Sequence, residues 1–483
     1  MELLDSPIRD YAWGSRSVLA LLQGRPSPSP GPEAELWVGA HPGAPSTLDG
    51  EDGPVSLADA IAVAPNGWLG ADAVARFGPR LPFLLKVLAA EAPLSLQAHP
   101  DLARARERFA AGDANYVDAN HKPELLVAIE PFEALCGFRD PRRSADALEA
   151  LGGAALAPVV THLRRGDLRK AVELLLTWPG DGAELVALVA GLDATSQADA
   201  HTGSAVDLGT GSVAGTYTTA GSGAGADEDT RVTAGSPDDA AGAGSAVGAT
   251  SAAFAAAAAT AAGAANAAGA PTAARASAAG DDRGRVAAVG DLSSAGGDST
   301  GGRFAADLRL VRWLAGYYPT DPGVLVALLL NPVTLRPGEA VWMPAGNLHS
   351  YLRGAGVEIM AASDNVLRGG LTPKRVDVAE LLRVLRFEVL LDPVVKPVDV
   401  TPGVVTWPAP VDDFALYRVT GPAELDLDGP VLVLCTAGES TIGDTTGVVS
   451  LTAGRAAVGP AGAGPLMIAG AGEVFVAALG GRG

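Results

Sequence analysis

The chain has 483 residues, enough for roughly two to four domains with large hydrophobic cores. Its formal net charge of −20 offers no overall basic face, so we predict neither nucleic acid nor a membrane as a partner. The two cysteines, Cys136 and Cys435, exclude a disulfide framework and cysteine-rich zinc modules. With neither a signal-peptide pattern nor a membrane span built of large apolar residues, the sequence predicts a cytoplasmic protein.

The first two thirds of the chain fall into three stretches of different composition. Residues 1–100 carry short apolar runs separated by Pro and Gly, which predict strands of a barrel or sandwich. Residues 101–195 space their Leu and Val at helical intervals and predict a small helical domain, apart from a strand region at 120–140. Residues 196–303 are dominated by Gly, Ala, Ser, Thr and Asp, and we predict a disordered insertion because too little apolar surface is present to offset the entropy of ordering.

Order is expected to resume after the insertion. Residues 304–319 form an amphipathic pattern that predicts a helix completing the helical domain. Residues 320–390 return to strand-like runs with turn signals and end in a predicted helix at 376–387. Residues 391–483 predict a separate β unit without any histidine, to which we assign a structural or interface role.

The stretch "LSLQAHPD" at 94–101 places polar residues in an apolar strand-like run. In a strand, Ser95, Gln97 and His99 project from one face, and the alternate apolar residues project from the other. This pattern by itself fits a hydrogen-bonded structural histidine as well as a metal ligand.

The stretch "HKPEL" at 121–125 has the same alternation, with Lys122 and Glu124 on one face. The alternative to a functional pair is a surface ion pair on an edge strand, which Pro123 favours.

The stretch "GEAVWMPAGNLH" at 338–349 predicts a strand, a tight turn and a histidine at the start of the next strand. Gly-x5-Pro-x-Gly-x2-His is the second signature of the cupin β-barrel, in which this turn aims the histidine at a metal. Gln97, His99, Glu124 and His349 together form a nitrogen and oxygen set that suits zinc or a neighbouring divalent metal.

These blocks occur in one order that resembles the type I phosphomannose isomerases. The matching segments are "YAWGS", "ELWVGAHP", "LPFLLKVL", "LSLQAHPD", "HKPEL", "CGFR", "MPAGNLHSYL" and "VEIMAASDNVLRGGLTPK". Two departures are "YAWGS", where many members have "YDWG", and the low-complexity insertion.

The resemblance implies a mainly β fold with an α-helical insertion domain and cupin-type jelly-roll barrels. We expect a catalytic barrel from residues 1–100 and 320–390 with the 120–140 strands, a helical domain from 101–195 and 304–319, and a C-terminal jelly-roll-like domain at 391–483.

The resemblance also implies the chemistry: interconversion of mannose 6-phosphate and fructose 6-phosphate through a cis-enediol, feeding mannose and GDP-mannose metabolism. The implied ligands of one Zn²⁺ per chain, with another divalent metal as the alternative, are Gln97, His99, Glu124 and His349. The implied catalytic residues are Arg368, Glu358, Lys122 and Asp364, the last three being rivals for proton transfer. The implied substrate and phosphate contacts are Ser95, Lys86 and Lys374, with Trp13 and Tyr351 as pocket walls or core aromatics.

Two other function classes compete with the isomerase. A cupin oxygenase would hold Fe(II) with two histidines and one carboxylate, but it leaves the Arg and Lys of residues 368–374 unexplained. A sugar-phosphate sensor on the same fold would have lost a ligand or the arginine, and this sequence retains both. We expect a monomer whose partner is a small sugar phosphate.

Overall fold

A computed structural model describes residues 1–50, 53–191 and 304–481. The predicted insertion at 196–303 lies outside these described residues. The described parts are mostly β with some helices, as expected for the fold class. No helix among the described residues is both long enough and apolar enough to cross a bilayer.

The strands carry the architecture. In chain order they are β1 (Glu2–Leu4), β2 (Ile8–Arg9), β3 (Glu35–Val38), β4 (Thr47–Gly50), β5 (Gly53–Ser56), β6 (Phe83–Ala90), β7 (Leu96–Ala98), β8 (Glu124–Ala128), β9 (Phe132–Phe138), β10 (Leu330–Leu335), β11 (Ala340–Met343), β12 (His349–Ala361), β13 (Leu367–Gly370), β14 (Val394–Val395), β15 (Val398–Thr401), β16 (Val404–Thr406), β17 (Ala415–Thr420), β18 (Ala423–Leu425), β19 (Val431–Ala437), β20 (Glu439–Gly443), β21 (Val448–Thr452), β22 (Ala456–Gly459), β23 (Leu466–Gly470) and β24 (Glu473–Ala478).

The helices are short. They are α1 (Val18–Leu22), α2 (Leu57–Val63), α3 (Pro65–Leu69), α4 (Ala71–Phe77), α5 (Leu102–Ala110), α6 (Pro141–Gly152), α7 (Ala157–Arg164), α8 (Leu168–Leu176), α9 (Gly182–Ala190), α10 (Ala305–Tyr317), α11 (Gly323–Val326) and α12 (Val378–Val384), with 3₁₀ turns at Gly153–Leu156 and Ala327–Leu329.

An eleven-stranded antiparallel sheet surrounds the candidate site, and its long strand β12 joins two sets of neighbours. The first residues of β12 pair with β7 and β9, whereas residues from Gly354 onward pair with β6 and β8. All eight residues of β6 are buried, as expected for a strand covered on both faces. The sheet therefore brings together segments that lie more than 250 residues apart in the chain.

The helices around residues 141–190 and 305–317 pack into one apolar core. Several begin at an aspartate whose side chain accepts a backbone N–H, as at Asp167 of α8 and Asp181 of α9. Their Leu and Val share a buried cluster with Leu96 and Leu348, which lie beside the site strands. This helical layer therefore supports the strands that carry the site.

Residues 57–77 differ from the expectation of strands for this part of the chain. They form the three helices α2 to α4, because Ser56 caps α2 through the Asp59 N–H and Pro65 occupies the first turn of α3. The helix expected at 376–387 is also shorter, starting after the cap residue Asp377 and ending at Val384.

The last part of the chain forms a seven-stranded sheet and a four-stranded sheet. The N-terminal strand β1 joins the seven-stranded sheet by pairing with β22. One buried cluster contains Phe83 and Leu125 from the site sheet together with Phe414 and Phe475 from the C-terminal sheet. The two sheets therefore share a core.

Candidate functional site

The turn between β11 and β12 delivers His349 to the interior of the site sheet. Gly346 has a φ of 78°, and an added Cβ would lie 2.7 Å from the Val384 carbonyl oxygen, so glycine is required there. In the sheet, His349 lies opposite Gln97 of β7. The predicted strand, turn and histidine are thus present.

Three buried side chains converge at this point. The ligand atoms of His99, Glu124 and His349 all lie within 4.8 Å of one another. His99 Nε2 is 3.4 Å from Glu124 Oε1, and His349 Nε2 is 3.2 Å from Glu124 Oε2. About 3.3 Å separates two ligands of a tetrahedral zinc ion bonded at ~2.0–2.1 Å, so this spacing fits such an ion.

Backbone carbonyls fix the tautomer of both histidines. His99 Nδ1 lies 2.7 Å from the Asn365 oxygen, and His349 Nδ1 lies 3.0 Å from the Asn347 oxygen. A carbonyl only accepts, so each Nδ1 carries the proton and each Nε2 presents a lone pair towards Glu124.

The site is therefore a cluster of acceptors. His99 Nε2 and Glu124 Oε2 are buried and have no hydrogen-bond partner among the described residues. A cation placed between them would satisfy acceptors that face one another in a buried site, and this donor set suits zinc. The Gln97 amide nitrogen lies 3.3 Å from His349 Nε2, so turning the amide over would present its oxygen to the same point.

Burial and charge set the protonation of these groups. Burial raises the pKa of Glu124, but the attraction of the Lys122 ammonium opposes it, and the pKa lies well below its usual range. Burial lowers the pKa of His99 to about 4. The carboxylate is thus ionised and His99 neutral near pH 7, as metal ligation requires.

Lys122 and Glu124 do not form the surface pair that we weighed as an alternative. Their Nζ–Oε1 distance is 2.9 Å, and both side chains are buried. Strand β8 lies between β11 and β12 rather than at an edge. Pro123 precedes the first residue of β8, where the missing N–H costs no sheet hydrogen bond.

A second set of buried polar side chains, centred on Glu358, lies near Glu124. Glu358 accepts a hydrogen bond from the Tyr351 hydroxyl at 2.7 Å and lies 3.4 Å from Lys86 Nζ. Lys86 is also 3.6 Å from Glu35 Oε1, and Glu35 accepts the indole N–H of Trp37 at 2.7 Å. Burial raises the pKa of Glu358 above its ordinary value, although Lys86 opposes the shift.

Arg368 lies beside strand β7 rather than in a surface loop. It belongs to β13, opposite Gln97 of β7, and its side chain is half-buried. No hydrogen bond or ion pair to another described residue satisfies its guanidinium. Burial lowers the pKa of Arg368 from its ordinary value.

The remaining predicted residues lie at different depths. Asp364 is 56 % exposed and lies 3.4 Å from His41 Nε2, which lowers the pKa of the carboxyl. Ser95 and Trp13 are half-buried, and Trp13 stacks on Tyr11 with ring centroids 5.7 Å apart. Lys374 is exposed, and its backbone N–H donates to the Thr372 hydroxyl at 3.1 Å.

Sequence reasoning missed four residues that the structure adds to the site region. Glu35 and Trp37 hold Lys86, His41 contacts Asp364, and Asn365 orients His99. Glu35, Trp37 and His41 lie in "ELWVGAHP", where alternation places Glu35 and Trp37 on one strand face, but their partners come from distant segments.

Comparison with known proteins agrees with this geometry. Residues 1–141 match the family model for phosphomannose isomerase type I, catalytic domain. Mannose-6-phosphate isomerase of Escherichia coli (strain K12) is 29 % identical, covering 98 % of each chain. Mannose-6-phosphate isomerase of the yeast Ogataea parapolymorpha is 30 % identical, covering 85 % of this chain and 79 % of its own.

A solved structure extends the likeness to three dimensions. A crystal structure of mannose 6-phosphate isomerase bound with zinc and yttrium superposes with a TM-score of 0.69 at 27 % identity, covering 99 % of each chain. With a yeast relative at this identity and coverage, and with the buried His99, Glu124 and His349 in place, the chain belongs to the type I phosphomannose isomerase family.

Proposed function

We propose that this chain is a zinc-dependent aldose–ketose isomerase that interconverts mannose 6-phosphate and fructose 6-phosphate. The convergence of two imidazole lone pairs on one buried carboxylate supports this proposal most strongly. The choice of substrate follows the relatives named mannose-6-phosphate isomerase in bacteria, yeasts, plants and a mammal. In the cell such an enzyme would feed mannose and GDP-mannose metabolism.

The fold proposal follows the same family. We propose that the eleven-stranded sheet is a cupin-type barrel and that the C-terminal sheets form a jelly-roll-like domain, with helices 141–190 and 305–317 as an inserted domain. The domain limits remain those expected from the sequence, with residues 391–483 forming the last unit.

We propose that Gln97, His99, Glu124 and His349 hold one Zn²⁺. The ion would act as a Lewis acid that stabilises negative charge on the substrate oxygens at C1 and C2 without any redox change. The two carbonyls that hold the histidine tautomers keep both Nε2 atoms available for this role.

The reaction needs a base that takes the proton from C2 of the open-chain aldose and returns a proton to C1. Among the three rivals, Glu358 has the raised pKa that suits a base working near neutral pH. Lys122 forms an ion pair with Glu124, so it is better suited to donate a proton to a substrate oxygen than to accept one from carbon. Asp364 has a lowered pKa and is therefore the weaker base. We propose Glu358 as the base.

The other polar groups would bind substrate. The Arg368 guanidinium, which has no hydrogen bond or ion pair among the described residues, lies on the strand opposite Gln97 and would donate to the enediolate oxygen that develops during the reaction. Ser95 and Lys374 would hold the phosphate. Lys86 already faces two carboxylates, Glu35 and Glu358, so its charge supports Glu358 more than it serves the phosphate. Trp13 and Tyr351 would line the pocket, and we propose that the protein acts as a monomer.

A coupled assay of fructose 6-phosphate formation from mannose 6-phosphate tests the proposal. Chelation should remove most turnover, and added zinc should restore it. Arg368→Ala should lose most turnover while remaining folded by circular dichroism. Activity that is indifferent to chelation would refute the zinc mechanism, and stoichiometric iron with oxygen consumption would favour an oxygenase instead.

A further inference from the structure

A hydrogen-bonded cluster of Asp118, Ser363 and Asn365, in which Asp118 is half-buried, lies next to His99. Asn365 is fully buried and Ser363 nearly so. The Ser363 hydroxyl lies 2.9 Å from Asp118 Oδ1, and the Asp118 carboxylate also accepts the N–H of Asp364 at 2.8 Å. We call these three residues the Asp118 cluster.

Asn365 connects this cluster to His99. Its backbone carbonyl accepts the His99 Nδ1–H at 2.7 Å, the contact that leaves His99 Nε2 as an acceptor. Its own N–H, which belongs to the preceding peptide unit, donates to the Ser363 hydroxyl at 3.2 Å, so Asn365 is also held on the N-terminal side of this carbonyl.

The Asn365 side chain reaches the loop that leads to Glu124. Its Oδ1 accepts the Val117 N–H at 2.9 Å, and its Nδ2 donates to the carbonyls of Asp118 at 2.9 Å and Asn120 at 2.8 Å. Strand β8 and Glu124 follow this loop four residues later. One amide therefore joins the segment that orients His99 to the segment that delivers Glu124.

Asp118 also connects the loop at 117–120 to the segment 363–365. It has no ion pair with a cation within residues 1–50, 53–191 and 304–481, and its carboxylate instead accepts the N–H groups of Asn120 and Asp364 and the hydroxyl of Ser363. Charge-assisted hydrogen bonds of this kind hold two loops in one arrangement.

We propose that Asn365 is the positioning residue of the metal centre, acting with Asp118 and Ser363. It sets the tautomer and orientation of His99 and fixes the distance between His99 and Glu124. The inference rests on the proposed zinc site for its ligand, but the tautomer that it requires is a property of the protein alone. Partners of ligating histidines typically contribute a factor of about 10–100 in metal affinity.

The first test is zinc affinity, measured by competition with a chromophoric chelator. Asn365→Ala should weaken zinc binding about tenfold or more, and Ser363→Ala by a smaller but measurable factor. Ser144→Ala is the matched control, because Ser144 is equally buried and hydrogen-bonded but lies in α6, away from the site. It should leave zinc affinity unchanged.

Ser363→Ala keeps the inference testable if Asn365→Ala does not fold. Folded variants of the Asp118 cluster that bind zinc as tightly as wild type would overturn the inference, even if their thermal stability falls.

The second test separates the inference from the proposed function. Nitrogen-15 NMR of the zinc-free wild-type protein at pH 7.5 should show His99 as the Nδ1–H tautomer, and Asn365→Ala should show a mixture of tautomers. An Nε2–H tautomer in wild type would overturn the positioning role. An Nδ1–H tautomer in a wild-type protein that binds no zinc would refute the proposed metal function and leave the positioning role standing.

Discussion

The ion pair between Lys122 and Glu124 permits a test that separates stability from metal binding. Glu124→Gln keeps the shape of the side chain but leaves the Lys122 ammonium buried, with its side chain only 10 % exposed and its 2.9 Å ion pair lost. Breaking a buried pair by removing one partner costs about 3–5 kcal/mol. That cost corresponds to a loss of about 2.2 to 3.7 powers of ten in the ratio of folded to unfolded protein.

A second variant in the same test also removes the buried Lys122 charge. In Glu124→Gln with Lys122→Met, no uncompensated charge stays buried, and replacing a buried pair by neutral groups of similar volume is often close to neutral. We expect the double variant to recover to within about 1–2 kcal/mol of the chelated wild-type protein. It should still fail to bind zinc tightly, because the anionic ligand is missing.

Urea denaturation of all the proteins in excess chelator measures the free energies of unfolding, and chelator competition measures zinc affinity. A Glu124→Gln protein as stable as wild type would refute the account of Lys122 as a buried partner. A double variant no more stable than Glu124→Gln would do so as well, and tight zinc binding by either variant would remove Glu124 from the ligand set.

Three further outcomes are expected. Glu358→Gln should lower kcat by about 10²–10⁴ while changing zinc affinity little, because Glu358 hydrogen-bonds Tyr351 and pairs with Lys86 and is not one of the proposed ligands; a near-normal kcat would move the base elsewhere. Burial lowers the pKa of His99 to about 4, below its ordinary value of 6.5, so chelated protein should lose stability as the pH falls from 6.5 towards 4. In a plot of the urea midpoint against pH, a His99→Gln variant should lose less stability than wild type between pH 6.5 and 4. An unchanged pH dependence would contradict the lowered pKa assigned to His99. Deletion of residues 200–300 with a short linker should leave isomerase activity near normal, and loss of folding in that variant would show that the segment is not a dispensable insertion.

The sequence predicted the local parts of the site because those parts depend on strand alternation and turn chemistry. Alternation placed Gln97 and His99 on one face, and the Pro344 and Gly346 turn predicted the delivery of His349. The contact between His349 and Glu124 depends on pairing between distant strands, which only the family resemblance suggested.

The residues that the sequence did not reveal act through long-range contacts. Asn365 and the loop at 117–120 meet across about 250 residues of chain, and an asparagine in a turn-rich block has no local pattern that predicts this contact. The helices at 57–77 were missed for a different reason. Frequent Gly and Pro residues in this segment are typical of strands joined by turns, whereas here Ser56 and Pro65 start short helices.

The pairing of β1 with β22 also bears on how the protein is made. Residues 2–4 leave the ribosome more than 450 residues before their partners at 456–458. At about 5–20 residues per second, that interval is roughly 20 to 90 seconds. During it the site strands lack the C-terminal side of the core that they share through Phe414 and Phe475. We expect that a nascent chain stalled before β22 cannot complete this core, and that His99, Glu124 and His349 reach their final arrangement only after synthesis nears its end.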